Sequence, residues 1–160
     1  ALLTMAFGVL AQTPSKNAAT CVALLSIAAG PVGMVGGQVL DIETAKPDEK
    51  LLEEIHRRKT GALICVSVEA AALLCEAEAR QIECLKNYGE HLGLAFQLAD
   101  DLQDFDEGDP EKISFCSLLG VTETLMRLEQ SSEAALAALQ EFSPVADGLR
   151  RMVQLNRDRV

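Results

Sequence analysis

Aromatic residues are scarce in this 160-residue chain, which has no Trp, one Tyr and five Phe. The hydrophobic fraction is nevertheless 49%, with Ala and Leu abundant in it. Sheets draw on aromatic and β-branched residues, whereas Ala and Leu favour helices. No strand pattern longer than a few residues, no internal repeat and no second domain can be recognised. We therefore predict a single all-α domain over residues 1–160, long enough to bury a core.

Positive charge is also in short supply. The 14 Lys and Arg residues stand against 24 Asp and Glu residues, which gives a formal net charge of −10. A chain of this charge is a poor match for nucleic acid, so we expect no nucleic-acid partner. The acidic surplus fits a site that collects divalent cations.

The five cysteines show no Cys-x-x-Cys pair and no His at metal-ligand spacing. Their number is odd, and three of them lie within apolar helical runs. These features favour buried free thiols over a disulfide framework or a zinc site. We therefore expect a protein of the reducing cytoplasm.

The first eleven residues are apolar but lack a basic flank, and they are too short to span a bilayer. We interpret them as part of a core helix and expect no stable membrane insertion. The pattern begins at Ala1 without an N-cap or an initiator methionine, so we expect the chain to belong to a longer protein.

Two long helical patterns follow. The first covers residues 16–44 and contains a Gly- and Pro-rich stretch at 30–37, where we expect one kinked helix; two helices joined by a loop are the alternative. The second, residues 49–79, begins after Asp48 as its N-cap. Lys59 lies in register with its apolar stripe, so its ammonium group either reaches solvent or faces an anion.

The next predicted helix, residues 80–104, ends in an acidic face. Gln97, Asp100, Asp101 and Asp104 follow at i, i+3, i+4 and i+7 and so share one face. Like charges at this spacing cost roughly 0.2–0.5 kcal/mol per pair, and the helix dipole adds to the penalty. Carboxylates without nearby His or Cys suit Mg²⁺ better than Zn²⁺. We hypothesise that this face holds Mg²⁺ against a diphosphate; a solvated acidic helix end is the alternative.

Three motifs taken together resemble the trans-isoprenyl diphosphate synthases, which include the farnesyl and geranylgeranyl diphosphate synthases. They are Gly-Gln-Val-Leu-Asp at 37–41, Lys-Thr-Gly-Ala-Leu at 59–63, and Phe-Gln-Leu-Ala-Asp-Asp-Leu-Gln-Asp at 96–104. Their order and spacing are matched together. The resemblance implies a helical bundle of the isoprenoid synthase type around a deep cavity, lacking the N-terminal helices here, and a homodimer.

The same resemblance implies a prenyl transfer. Mg²⁺ would assist ionisation of an allylic diphosphate, isopentenyl diphosphate would attack the carbocation, and a proton would be lost to give a trans-polyprenyl diphosphate such as farnesyl or geranylgeranyl diphosphate. Lys59, Asp100 and Asp104 would be catalytic. The metal ligands would be Asp100, Asp101 and Asp104. The substrate-binding residues would be Gln38, Asp41, Lys59, Thr60, Gln97 and Lys112.

The resemblance has two departures. The family's first Asp-rich motif, its paired arginines and its isopentenyl diphosphate site lie upstream of the matched segment, so we expect the 160 residues alone to be inactive. The loop after Asp104 is shortened, and Lys112 would stand for one of the family's loop lysines.

Two other functions stay open. A non-catalytic subunit of an active synthase is motivated by the shortened loop, although the retained Lys59, Asp100 and Asp104 argue against it. A class I terpene cyclase would share the fold and the aspartate chemistry. The Gly-Gln-x-x-Asp and Lys-Thr motifs favour chain elongation over cyclisation.

Overall fold

The structure, a computed structural model, describes residues 1–106 and 113–160. Its helices in chain order are α1 (Leu2–Gln12), α2 (Ala18–Ala29), α3 (Met34–Glu43), α4 (Glu49–His56), α5 (Ala62–Leu74), α6 (Ala79–Gln103), α7 (Phe115–Leu119), α8 (Val121–Ala138) and α9 (Asp147–Arg157). A π-helical turn (Arg57–Gly61) joins α4 to α5, and a 3₁₀ turn (Pro144–Ala146) precedes α9. The described residues contain no strand, which confirms the all-α class.

Helix α6 is the element against which α4, α5, α7, α8 and α9 pack. It begins at a capping box formed by Glu78 and Gln81, which satisfies two backbone amides of its first turn. Helix α5 packs along one side of it and helix α8 along another. Its glycines allow the close approach that the sequence indicated: a Cβ atom on Gly89 would lie 2.8 Å from Cys65 Cα of α5, and one on Gly93 would lie 2.9 Å from Gly61 Cα of the π-helical turn.

The single kinked helix expected over residues 16–44 is wrong. Helices α2 and α3 are separate, and residues 30–33 form the turn between them. The backbone at Gly30 is extended, and Pro31 has no amide proton to continue the helical ladder. Only a glycine fits at the end of the turn, since a Cβ atom on Gly33 would lie 2.0 Å from Ala28 O.

Helix α1 forms as predicted, but it is not a core helix. None of its residues is buried. One side, which includes Phe7 and Leu10, packs beside Leu25 of α2. The other side leaves Leu2 and Val9 largely exposed, at 83% and 65%. An apolar run therefore identified the helix but overstated its burial.

Two further predictions are settled by local structure. Asp48 is the N-cap of α4, because its Oδ1 accepts a hydrogen bond of 2.9 Å from Leu51 N. All five cysteines are free, and Cys21 and Cys116 are buried. Cys75 is exposed, so the expectation of buried thiols is wrong at that position.

Candidate active site

The π-helical turn presents Lys59 to an acidic partner. The turn is held against α3, since a Cβ atom on Gly37 would lie 2.4 Å from Lys59 N. Asp41 lies one turn after Gly37 on α3. Its Oδ2 accepts a hydrogen bond of 2.6 Å from Lys59 Nζ. The two side chains are 37% and 39% exposed. Of the two possibilities that the sequence left open, Lys59 therefore faces an anion.

The neighbouring arginines of the same turn have a different partner. Arg57 Nε and Nη2 each donate to Glu54 across 2.7 Å, and Arg58 Nε donates to the same carboxylate. Burial would raise the pKa of Glu54, but the hydrogen bonds from both arginines outweigh it and lower that pKa. Arg57 and Arg58 are thus tied to α4, which leaves Lys59 as the cation of this turn that faces Asp41.

Asp100 is held between two donors. Gln97 Nε2 donates to its Oδ2 across 3.2 Å, and the guanidinium of Arg159 donates to its Oδ1. Gln97 is itself buried in the packing of α6. Asp104 follows one turn later as the C-cap of α6, and its amide donates to Asp100 O across 2.9 Å. The carboxylates of Asp100 and Asp104 therefore lie on successive turns at the helix end.

Asp101 points to another part of the molecule. Its Oδ2 accepts a hydrogen bond of 2.7 Å from Phe115 N, the first residue of α7, and lies 3.8 Å from His56 Nε2. The side chain is 14% exposed. The carboxylate thus joins α6 to α7 and α4, on a different side of α6 from the Asp100–Arg159 contact. Its predicted role as a metal ligand stays a prediction.

His56 is a buried polar residue beside this contact. The centre of its ring lies 5.4 Å from that of Phe115, and both of its nitrogens are buried with no hydrogen-bond partner among the residues that the structure describes. Burial lowers the pKa of His56, while the Asp101 carboxylate and Gln97 act in the opposite direction. The spacing in the sequence is a signal for this burial: His56 is four residues after the buried Leu52 and so falls on the same helix face.

A cavity of about 560 Å³ opens beside Lys59. Thr60 lies in its wall, and Arg159 from the C-terminal end of the chain lies there as well. Its remaining lining residues, which are apolar apart from one asparagine, are Leu63, Ile64, Leu92, Phe96, Met152, Leu155 and Asn156. An apolar wall with cationic groups at it suits a ligand that has a hydrocarbon part and an anionic head.

The other predicted substrate-binding residues that the structure describes are not among those lining this cavity. Gln38 lies on α3 and is exposed. Asp41, on the same helix, contacts Lys59, and Gln97 contacts Asp100, so the structure brings two predicted pairs together. Lys112 lies outside the described residues.

Among the described residues, no group of three or more His, Cys, Asp or Glu side chains could enclose a metal by itself. The site does offer carboxylate oxygens on successive turns, at Asp100 and Asp104. Mg²⁺ commonly takes one or two protein carboxylates and completes its octahedron with water and phosphate oxygens. The donor set therefore fits Mg²⁺ bound together with a phosphate-bearing ligand, and it does not fit a protein-enclosed metal.

Known proteins are similar to this chain in sequence and in fold. The chain matches the model of the polyprenyl synthetase family over residues 1–114. It is 44% identical over 119 residues to a farnesyl diphosphate synthase of Geobacillus stearothermophilus, an alignment that covers 70% of this chain and 40% of that protein. It is 31% identical over 169 residues to a farnesyl diphosphate synthase of Micrococcus luteus, covering 96% of this chain and 58% of that protein.

The solved structure of an FPP/GFPP synthase from Zymomonas mobilis superposes on this chain with a TM-score of 0.85 and 32% identity. The superposition covers 95% of this chain and 56% of that one. The chain thus spans 40% to 58% of the length of these three proteins, and its helices follow the same fold.

Proposed function

This chain belongs to the polyprenyl synthetase family, and from that premise we propose that it supplies the allylic diphosphate site of a trans-polyprenyl diphosphate synthase. The observation that carries the proposal is that one cavity is lined both by Lys59 and by Arg159, the partner of Asp100. Lys59 lines the apolar cavity, and Asp100 is held by Arg159, which lines the same cavity. A fixed cation and an acidic metal site would then share one diphosphate.

The proposed reaction joins an allylic diphosphate to isopentenyl diphosphate. The C1–O bond of the allylic diphosphate breaks, and its electron pair leaves with the diphosphate oxygen. The π electrons of isopentenyl diphosphate form the new carbon–carbon bond at C1, and a proton is then lost to restore a double bond. Farnesyl or geranylgeranyl diphosphate would be a product of this kind.

The residues of this chain would stabilise the charge that develops on the leaving group. Lys59 places a fixed ammonium there, where a preorganised charge is most effective. Asp100 and Asp104 would hold Mg²⁺, which acts as a Lewis acid on the departing diphosphate when bound. Gln97 orients Asp100 through its hydrogen bond. The apolar wall around Leu63 and Phe96 would hold the hydrocarbon and exclude water from the carbocation.

The remaining motif residues have supporting roles in this proposal. Thr60 lines the cavity beside Lys59, and Asp41 orients the ammonium group. Gln38 would line the pocket from α3. Asp101 would fix the helix end through its contact with Phe115 N, whether or not it also reaches the metal.

The first experiment is a calorimetric titration of the chain with dimethylallyl diphosphate, with and without Mg²⁺. We expect binding that requires Mg²⁺ and is lost in Asp100→Asn. Glu83→Gln removes an exposed carboxylate from the other end of α6 and is the matched control; it should bind as the wild type does. Binding that is independent of Mg²⁺, or that is unchanged in Asp100→Asn, would overturn the proposal.

Turnover is a separate question. The 160 residues hold one aspartate motif, whereas the resemblance implies two for the complete reaction. We therefore expect this polypeptide alone to bind the allylic diphosphate without forming product from isopentenyl diphosphate. Product detected by mass spectrometry at rates typical of a complete enzyme would show that these residues suffice.

We further propose a homodimer of a cytoplasmic protein. Exposed apolar side chains on α1 to α3 support association, among them Leu2, Val39 and Ile42. The five free thiols are consistent with a reducing compartment. The run Ala18–Glu43 is long and apolar enough to cross a membrane, but it is broken at 30–33 and its α2 part packs on α5. Analytical ultracentrifugation in the absence of detergent tests the dimer and its solubility together.

A further inference from the structure

Arg159 occupies the acidic face at the end of α6. Besides donating to Asp100 Oδ1, it donates from Nε and Nη2 to Gln103 Oε1 across 3.1 and 2.6 Å. Its Nη1 donates to Asn156 Oδ1 across 3.1 Å. The guanidinium carbon lies 4.7 Å from the centre of the Phe96 ring, a cation–π arrangement. The side chain is therefore fixed in position by four different residues.

This contact neutralises the carboxylate on which the proposed metal site depends. Asp100 is 35% exposed and Arg159 is 29% exposed, so solvent only partly screens the pair. The two Asp100 oxygens are each already accepting a hydrogen bond, from Gln97 and from Arg159. A divalent cation at Asp100 would compete with the guanidinium for the same oxygen and would repel it.

A second position for the guanidinium is available nearby. Arg159 lines the same cavity as Lys59 and Thr60, where a diphosphate would lie under the proposed function. Guanidinium groups bind phosphate oxygens in a bidentate manner, as they bind carboxylates. A short movement from Asp100 to the diphosphate would exchange one anionic partner for another.

We propose that Arg159 is a displaceable counter-ion: it neutralises Asp100 in the metal-free protein and transfers to the diphosphate when Mg²⁺ binds. This inference rests on the proposed function, because it takes Asp100 to be a metal ligand. It makes Arg159 a positioning residue whose effect on the metal is opposite in sign to its effect on the diphosphate. Replacing a residue that only stabilised the fold would change the affinities for Mg²⁺ and for the diphosphate in the same direction.

The test measures two affinities in Arg159→Gln by calorimetry. Titration with Mg²⁺ alone should show tighter binding, by about two- to fivefold, the scale expected on removing a partly exposed ion pair. Titration with dimethylallyl diphosphate at saturating Mg²⁺ should show binding that is weaker by about tenfold, since a charged hydrogen bond is lost. Arg151→Gln, at an exposed arginine of α9, the helix that precedes Arg159, is the matched control and should change neither affinity.

A double-mutant cycle gives a readout that does not depend on ligand affinity. Arg159→Gln, Asp100→Asn and the double variant are unfolded thermally in the absence of Mg²⁺. We expect the two positions to be coupled, and additive effects of the two substitutions would contradict the counter-ion role. If Arg159→Gln does not fold, Arg159→Lys keeps the charge but not the bidentate geometry, and should retain weak Mg²⁺ binding while losing diphosphate affinity.

The outcomes separate this inference from the function on which it rests. If Asp100→Asn abolishes Mg²⁺ binding but Arg159→Gln leaves Mg²⁺ affinity unchanged, the counter-ion role is wrong and the metal site stands. A parallel weakening of both ligands in Arg159→Gln also overturns the counter-ion role. If Asp100→Asn leaves Mg²⁺ binding intact, the proposed function itself fails.

Discussion

Gly37 lies directly against the backbone of Lys59, so that a Cβ atom at position 37 would stand 2.4 Å from Lys59 N and 2.8 Å from Lys59 Cα. The contact joins α3 to the π-helical turn without a side chain between them. Asp41 follows Gly37 by one helical turn and therefore reaches the Lys59 ammonium. The close packing at Gly37 thus brings α3, and Asp41 with it, within reach of the Lys59 ammonium beside the cavity.

Replacing that glycine should disturb both stability and binding. In Gly37→Ala the added methyl group meets backbone atoms, so α3 or the turn must shift, which we expect to cost about 1–3 kcal/mol. The displaced Lys59 should bind dimethylallyl diphosphate more weakly. Urea unfolding and calorimetry measure the two effects.

Gly8→Ala is the matched control, since a Cβ atom at Gly8 of α1 would meet nothing within 4 Å. Alanine favours a helix over glycine by about 1 kcal/mol, so this variant should be unchanged or more stable. Equal stability losses in the two variants would contradict the packing account.

Lys59→Gln should separate binding from stability. Its ion pair with Asp41 is more than a third exposed, and such pairs contribute about 0–1 kcal/mol to folding. The loss of the fixed ammonium should instead weaken Mg²⁺-dependent binding of dimethylallyl diphosphate by about tenfold or more. Lys86→Gln, which breaks the partly exposed pair with Glu69, should leave binding unchanged.

His56 should make the stability of the chain depend on pH. Burial lowers its pKa in the folded state, so the unfolded chain binds more protons once the pH falls below the ordinary value of about 6.5. The contribution is complete above that pH and is lost as the pH falls towards the lowered, folded-state pKa. Urea unfolding from pH 7.5 to 5.5 should therefore show a steeper loss in the wild type than in His56→Gln.

The thiols should differ in reactivity. Burial raises the pKa of Cys65 to about 11, with the nearby Glu90 and Glu69 carboxylates adding to the effect. Thiolate is the reactive form, so Cys65 should react slowly with iodoacetamide at pH 8, after the exposed Cys75. Peptide mass mapping over time would show the order. Equal rates at the two positions in the folded protein would contradict the partial burial of Cys65.

Sequence patterns predicted much of this fold because the helices carry strong local signals. The capped start of α4 at Asp48 and the long apolar pattern of α6 were both recognisable. The break between α2 and α3 was misjudged, since apolar residues continue through it. The π-helical turn around Lys59 has no local signature, because it depends on the packing of Gly37 and Gly61 against neighbouring backbones.

The site was predictable as a set of motif residues, but its contacts were not. Helical spacing places Asp100 and Asp101 on one broad face, yet the two carboxylates have partners on different sides of α6. Periodicity gives an angle about the helix axis and cannot tell which neighbouring element will supply a donor. The approach of Arg159 depends on how α9 packs at the end of α6, which no local pattern encodes.

The most direct test is a crystal structure of the chain grown with Mn²⁺ and dimethylallyl diphosphate, with the metal located by its anomalous signal. We predict a metal ion about 2.1 Å from an Asp100 oxygen, in the range of octahedral Mg²⁺ sites. The diphosphate should bridge this ion and Lys59. A metal bound elsewhere, or a diphosphate that contacts neither Lys59 nor the Asp100 site, would contradict the account.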